Sequence, residues 1–282
     1  MSLPPPYHHG RSRWLTVLLR CTRLSSLLAV ASLLSGCLTA VAPNPSSTTA
    51  QTTANNLWET LAPGLERRTY HPAPNNPLAQ LVALRIDPAQ YTFRVHYQPG
   101  DPLNLRRWET ALPDAAAIVN ANFFDPQNRI LGLLIADSVT HGQSFTDRGG
   151  TMFVQNGVPG VRSNLIQPYA GEAFEQAVQA FPMLVVDGAA SYTNPNDTDA
   201  SRRTVVAEDD AGRITILATP LIGLRLNELS AFLATSDMNI VTALNLDGGG
   251  STMLFIRADA RPYYLQAFDP VPAVLAIYPR GE

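Results

Sequence analysis

Ile240-Val241-Thr242-Ala243-Leu244-Asn245-Leu246-Asp247-Gly248-Gly249-Gly250-Ser251-Thr252 joins a short, unbroken apolar run to three consecutive glycines set between an acid and a hydroxyl. Residues 240–246 lack polar alternation, as expected of a central strand covered on both faces. Another apolar run, 253–257, follows the glycines. Three ordered glycines in a row are costly, because glycine loses the most backbone freedom on folding. They are useful where successive N–H groups must line a concavity that receives an anion. The plainer alternative is a tight turn between strands, with glycines for geometry only.

Working outward, Tyr91, Phe93, Val95 and Tyr97 alternate with Thr92, Arg94 and His96, the period of a half-buried strand. Residues 78–86 are expected to pair with it across the Asp87-Pro88 turn. Residues 115–120 form a second central run. A hairpin is predicted for 203–207 and 213–218 around Asp209-Asp210-Ala211-Gly212, and a turn at Asn156-Gly157. Helical patterns fall at 172–181 and 226–234, and the polar stretch 191–201 reads as a long loop. Many strands and few helices predict an α+β fold: a single domain, 57–282, with a mixed, largely antiparallel twisted sheet.

The chain of 282 residues has 20 cations, all of them arginine, which excludes a Schiff-base or phosphate-loop lysine. Arg11, Arg13, Arg20 and Arg23 fall within 1–36, which hold no acid, so the remainder carries a charge of −7. An acidic body without a basic stripe argues against a nucleic-acid partner. Those arginines precede an apolar core, 24–34, too short for a membrane span, and the end Leu34-Ser35-Gly36-Cys37 has the small residues of a cleavage site. Residues 1–36 are therefore expected to be a secretory signal. The same ending resembles a bacterial lipobox, which implies lipidation of Cys37 and a membrane anchor on the bacterial envelope. Residues 37–56, rich in Ser, Thr, Asn and Pro, read as a disordered tether. The only other cysteine, Cys21, lies in the signal, so the body has neither a disulfide nor a thiol nucleophile.

Other strand ends carry candidate chemistry. Asn120-Ala121-Asn122-Phe123-Phe124-Asp125 follows the 115–120 run, Asp187-Gly188 ends the run 182–186, and Arg203-Thr204 opens the hairpin. Turn capping, core packing and a solvated edge arginine are the structural alternatives for these three. His141 is the one body histidine placed in a loop suited to a site. No HxxxH pair or Cys/His cluster points to a transition metal, and no Gly-x-Ser-x-Gly elbow points to a serine hydrolase. Asp125, Asp187 and Asp247 are oxygen ligands of the kind calcium or magnesium takes, although their spacing forms no loop motif. No cofactor is required by the sequence.

Taken in order, the clusters resemble the phosphodiester glycosidase family across about 78–278. The pieces are Asn-x-x-Phe-Phe-Asp at 120–125, Gly132, Pro182-Met183-Leu184-Val185 with Asp187-Gly188, Arg203-Thr204, and 243–252 after a helix. Ala121 and Asn122 stand where the family often has glycines. Asp269-Pro270-Val271-Pro272 stands where it has Arg-x-Val-Pro. The resemblance implies a hydrolase of sugar-1-phosphodiesters, here in an envelope glycan or glycoconjugate. The alternative is a non-catalytic lipoprotein that binds glycan or peptidoglycan. In the catalytic reading, the amides of Gly248, Gly249 and Gly250 with Arg203 hold the phosphate. Asp247 first, and Asp125 second, stabilises the anomeric cation or activates water. The departing phosphate monoester, with a second pKa of about 6, needs little protonation. Asn120, Asn122 and Ser251 bond sugar hydroxyls, Phe123 gives an apolar wall, and His141, Asp187, Thr204 and Thr252 complete the expected substrate contacts.

Overall fold

Alternation and apolar runs become strands wherever a partner can satisfy their backbone groups, and here they build three sheets. The structure is a computed structural model that describes residues 57–73, 75–258 and 261–281. The expected signal, Cys37 and tether lie outside the described residues. The first sheet runs β1 (Glu59–Ala62), β2 (Leu65–Tyr70), β3 (Leu81–Ile86), β14 (Ile214–Ala218), β13 (Thr204–Asp209), β15 (Ile240–Asn245), β11 (Met183–Val186), β12 (Ala189–Ala190). The second runs β7 (Val139–Gly142), β6 (Leu133–Ala136), β10 (Gln176–Ala180), β8 (Gly150–Gln155), β9 (Val158–Ser163). The third runs β17 (Tyr263–Leu265), β16 (Leu254–Ile256), β5 (Ala117–Asn120), β18 (Ala273–Pro279), β4 (Tyr91–Tyr97). All of these pairings are antiparallel. The largely antiparallel pairing and the few helices agree with the sequence reading, but the described residues are mostly β, with two α-helices and three sheets, rather than an α+β fold with a single mixed, largely antiparallel sheet.

The inner faces of the three sheets share one core. Leu84, Val206 and Leu244 come to it from the first sheet, Met152 and Val178 from the second, and Val119 and Leu275 from the third. Each such side chain contributes about 1.5–3 kcal/mol on leaving water. Helices cover two of the outer faces. The helix α1 (Leu105–Ala111), which the sequence reading missed, is capped by the Asn104 side chain and lays Leu105 and Trp108 on Ile118, Phe255 and Val274. The helix α2 (Leu226–Thr235) follows the predicted 226–234 pattern and packs Leu229 and Leu233 on Val185, Val205 and Leu217. Strands β5 and β15 are the two unbroken runs of the sequence; β5 is buried throughout and β15 from Ala243 to Asn245, while Val241 is exposed.

Two local expectations fail. β3 and β4 do not pair: β3 lies between β2 and β14, and β4 goes to β18 in another sheet. The turn between them is tied down by Asp87, whose amide reaches the Gly64 carbonyl, and it carries the chain from one sheet to the next. The predicted helix 172–181 is instead strand β10, between β6 and β8. Its glutamines are buried and serve neighbouring strands. The Gln176 Oε1 accepts from the Val95 amide, and the Gln179 Oε1 accepts from the Leu133 and Phe145 amides. Those tertiary bonds outweigh the helix preference of Glu, Ala and Gln. The hairpin β13–β14 forms as expected, with Asp209 accepting from the Ala211 and Arg213 amides. The Asn156-Gly157 turn has positive φ at both residues, the geometry such hairpins favour.

Candidate active site

The end of β15 runs into Asp247 and a single 3-10 turn, Gly249–Ser251. This segment lies against the end of β5, because the Asp247 amide donates to the Ala121 carbonyl at 3.1 Å. The Asn120 side chain closes the junction. Its Nδ2 donates to the Asp247 carbonyl at 2.6 Å, while its Oδ1 accepts from the Thr204 hydroxyl at 2.9 Å and the Met253 amide at 3.0 Å. β5, β13 and the glycine turn therefore converge, as predicted, but Asn120 and Thr204 are buried and spend their polar atoms on each other and on the turn. They position the turn.

Asp247 is the chemically distinct group. Its carboxyl accepts from the Gly248 amide at 2.8 Å and from the Ser251 hydroxyl. Burial nevertheless pushes its pKa up to about 6; the Ser251 and Gly248 bonds pull it down, and the charge of Asp269 adds to the rise. The Asp269 carboxylate sits over Gly250 so closely that a Cβ there would fall 2.0 Å from its Oδ2, and the Phe268 and Asp269 amides both donate to the Gly250 carbonyl. A side chain at 250 would make the Asp269 carboxylate move, and Asp269 is a residue absent from the sequence-predicted site. Its only sequence signal was an acid where the resembled family has arginine.

The expected anion cradle is not assembled as predicted. The Gly248 amide is taken by Asp247, and the Gly249 amide donates to the Arg202 carbonyl at 2.7 Å. Gly248 itself must be glycine, since a Cβ would meet that carbonyl at 2.7 Å. Gly249 has φ +59° with open space around it.

Arg203 also departs from its expected role. Side chains alternate at the start of β13, so Arg203 projects with Val205 toward α2 while Thr204 projects toward Asn120. The Arg203 guanidinium donates to the Leu224 carbonyl at 2.9 Å and the Asp199 carbonyl at 2.6 Å. It anchors two loops and is turned away from Asp247. Its neighbour Arg202 is the guanidinium on the site's side, bonded to the carbonyls of Thr252 and Gln266 at 2.7 and 2.9 Å. Thr252 is buried at the end of the turn.

Other predicted residues lie apart. The Asp125 carboxylate accepts from the Gln127 and Arg129 amides and from the Arg129 guanidinium, which hold its pKa below the ordinary value. It closes a turn. Asp187 occupies a turn with φ +50°, and the Gly188 amide beside it donates to the Val241 carbonyl, at the opposite end of β15 from Asp247. Six residues of strand, about 20 Å, separate the two ends. Asp125, Asp187 and Asp247 therefore do not gather round one cation. Among the described residues no group of three or more His, Cys, Asp or Glu is placed to hold a metal ion. His141 is on the edge strand β7, not in a loop, and shares a hollow with Tyr97, Asp125 and Phe145. Phe123 stacks on Phe181 at 4.7 Å, and Phe181 in turn meets Phe145 edge-on. Asn122 is buried, its Nδ2 donating to the Leu133 and Gln179 carbonyls.

A largely antiparallel β scaffold that carries a raised carboxyl on a triglycine turn is the class these observations define. The phosphodiester glycosidase family matches residues 113–278, and the chain belongs to that family. No curated protein matches it. Among solved structures it is similar to the catalytic domain of zebrafish N-acetylglucosamine-1-phosphodiester alpha-N-acetylglucosaminidase, auto-inhibited by its pro-peptide, with 17% identity and a TM-score of 0.60 over 79% of this chain and 86% of that one. It is also similar to a hypothetical protein from Synechocystis, with 15% identity and a TM-score of 0.51 over 77% of this chain and 62% of that one. A putative exported protein from Burkholderia pseudomallei has 11% identity and a TM-score of 0.50, over 71% and 74%. At these identities the likeness to the three structures is one of fold.

Proposed function

We propose that the chain is a hydrolase that cleaves a sugar-1-phosphodiester in an envelope glycan or glycoconjugate, and that Asp247 works at the anomeric carbon. The observation that carries this reading is the Asp247 carboxyl, raised to about 6 within the triglycine segment by which the chain resembles its family. At neutral pH it is ionised, yet still basic enough to activate water, or to stabilise the positive charge that develops on the sugar. The phosphate monoester leaves with little help, so one carboxyl suffices. Export, with an anchor through a lipid on Cys37, belongs to the same reading and rests on the N-terminal sequence. A synthetic sugar-1-phosphodiester hydrolysed in isotopically labelled water tests it. Label recovered in the sugar supports attack at carbon. Label in phosphate, or no release of sugar by a folded protein that is retained on insoluble cell wall, overturns it.

The Asp269 carboxylate beside Asp247, with Arg203 facing away, favours a second reading: hydrolysis of an ordinary glycoside by two carboxyl groups. Here one acid protonates the leaving oxygen. Turnover of an aryl glycoside with a poor leaving group, lost in Asp269→Asn, would distinguish it from the first.

A further inference from the structure

Arg202 is a buried cation with no carboxylate partner among the described residues. It is 7% exposed, and its guanidinium donates only to carbonyl oxygens, those of Thr252, Gln266 and, at 3.4 Å, Thr219. Its Nη1 has no hydrogen-bond partner, and among the described residues no carboxylate touches the group. A buried cation without a counter-ion is costly, and such a cost persists where a ligand supplies the missing charge. Arg202 lines a hollow of about 320 Å3 together with Tyr263, Tyr264, Gln266 and Phe268. Phe268 is 78% exposed, lies 4.6 Å from the Arg202 guanidinium carbon, and is fastened to the glycine turn through its amide, 2.7 Å from the Gly250 carbonyl.

The same two tyrosines line a second hollow of about 680 Å3 with Arg67, Arg106 and Arg261. Arg106 stacks on the Tyr264 ring at 3.6 Å. Among the described residues two acids face these cations: Glu59 on Arg67 at 2.6 Å, and Glu109 on Arg106 at 3.3 Å and on the Tyr264 hydroxyl at 2.8 Å. Each carboxylate occupies only part of a fork with five N–H donors. Aromatic faces alternating with guanidinium planes suit sugar rings that carry oxyanions.

We infer that the run from Arg202 past Tyr263 and Tyr264 to Arg106 and Arg261 is a trough for an acidic glycan chain. Arg202 takes the acidic group nearest the bond to be cut, Phe268 stacks on a sugar ring, and the tyrosines, Tyr264 with Arg106 laid on its ring, line the path of the chain. The two aspartates at the glycine turn repel acidic groups and so set which way the chain lies. The inference rests on the glycosidase reading for its sugar and adds that the substrate is a charged polymer; it holds for either bond. Its chemistry is that of an oxyanion, borne as phosphate or as carboxylate.

The test is binding to the full chain carrying Asp247→Asn, so that nothing is cut, using phosphomannan, polygalacturonate and neutral mannan. At least one acidic polymer is expected to bind about tenfold or more tighter than neutral mannan, and to weaken as salt is raised. Whichever binds tighter assigns phosphate or carboxylate. Adding Arg106→Ala with Arg261→Ala, or Tyr264→Ala, should weaken that binding about tenfold, and Arg202→Gln at least as much. Circular dichroism identifies the folded variants, and the exposed positions keep the test open should Arg202→Gln fail to fold. Equal binding of neutral mannan, no binding of either acidic polymer, or unchanged affinity in the folded variants overturns the trough. Binding as expected, with no turnover by the unsubstituted protein on any glycoside or phosphodiester, supports the trough and overturns the hydrolase reading alone.

Discussion

Arg202 and Arg203 are adjacent in sequence and opposite in use. On the face of β13 that looks toward α2, Arg203 is satisfied by the Leu224 and Asp199 carbonyls and closes the ends of two loops. On the other face, Arg202 props the glycine turn, has one nitrogen without a hydrogen-bond partner, and is among the residues that line a hollow. One residue of strand register separates a cation that ties loops together from one that lines a hollow. A motif match finds the pair; alternation decides which member faces the site.

The largest effect expected from this contrast lies at Asp247, on the site side. Asp247→Asn should lower kcat on a sugar-1-phosphodiester by about a thousandfold or more, measured against the folded fraction. The same change should stabilise the fold at neutral pH. A carboxyl whose pKa rises from 3.8 unfolded to about 6 folded binds its proton more tightly in the native state. Stability therefore falls as pH climbs through that window, by about 3 kcal/mol at most, and the asparagine variant escapes the loss. Urea unfolding at pH 3.5 and 7.5 checks this: the two proteins should differ only at the higher pH. On the opposite face, Arg203→Ala should cost about 3 kcal/mol, or roughly 10 °C in Tm, while kcat of the folded protein stays within about twofold. A kcat collapse in a folded Arg203 variant would break the contrast outright.

Smaller effects sharpen it. The kcat/KM of the unsubstituted protein should rise as pH passes about 6 and then level, following ionisation of Asp247. Because the negative charge of Asp269 raises that pKa, Asp269→Asn should move the limb to lower pH; a shift to higher pH would contradict the geometry. Smallest of all, Asp125→Asn and Asp187→Asn should leave kcat/KM within about twofold, since one carboxylate serves its own turn and the other lies at the far end of β15.

Local pattern made much of the scaffold readable. β4 alternates cleanly, β5 and β15 are unbroken apolar runs, and the β13–β14 turn announces itself through Asp209 and Gly212. Strand 176–180 did not, because Gln176 and Gln179 look like helix surface until the amides they rivet are known. The convergence of Asn120, Thr204 and Asp247 was legible from strand ends and from the resemblance. The reach of the individual side chains was not. Arg203 and Asp187 face away for reasons of register and strand direction. Asp269 arrives from a distant loop and leaves its mark in the sequence only as an acid where the resembled family has arginine. Arg202 could have been singled out by counting alternation back from Thr204.

Asn120 grips the carbonyl before the glycines and the amide after them with a single side chain, which is itself rooted in a different sheet from β15. The loop cannot swing out on either stem alone; releasing it means parting the seam between two sheets. The Met253 amide should accordingly exchange its hydrogen for deuterium as slowly as the strand interiors, and more slowly than any other backbone proton in the turn. An open, breathing loop would show the reverse order.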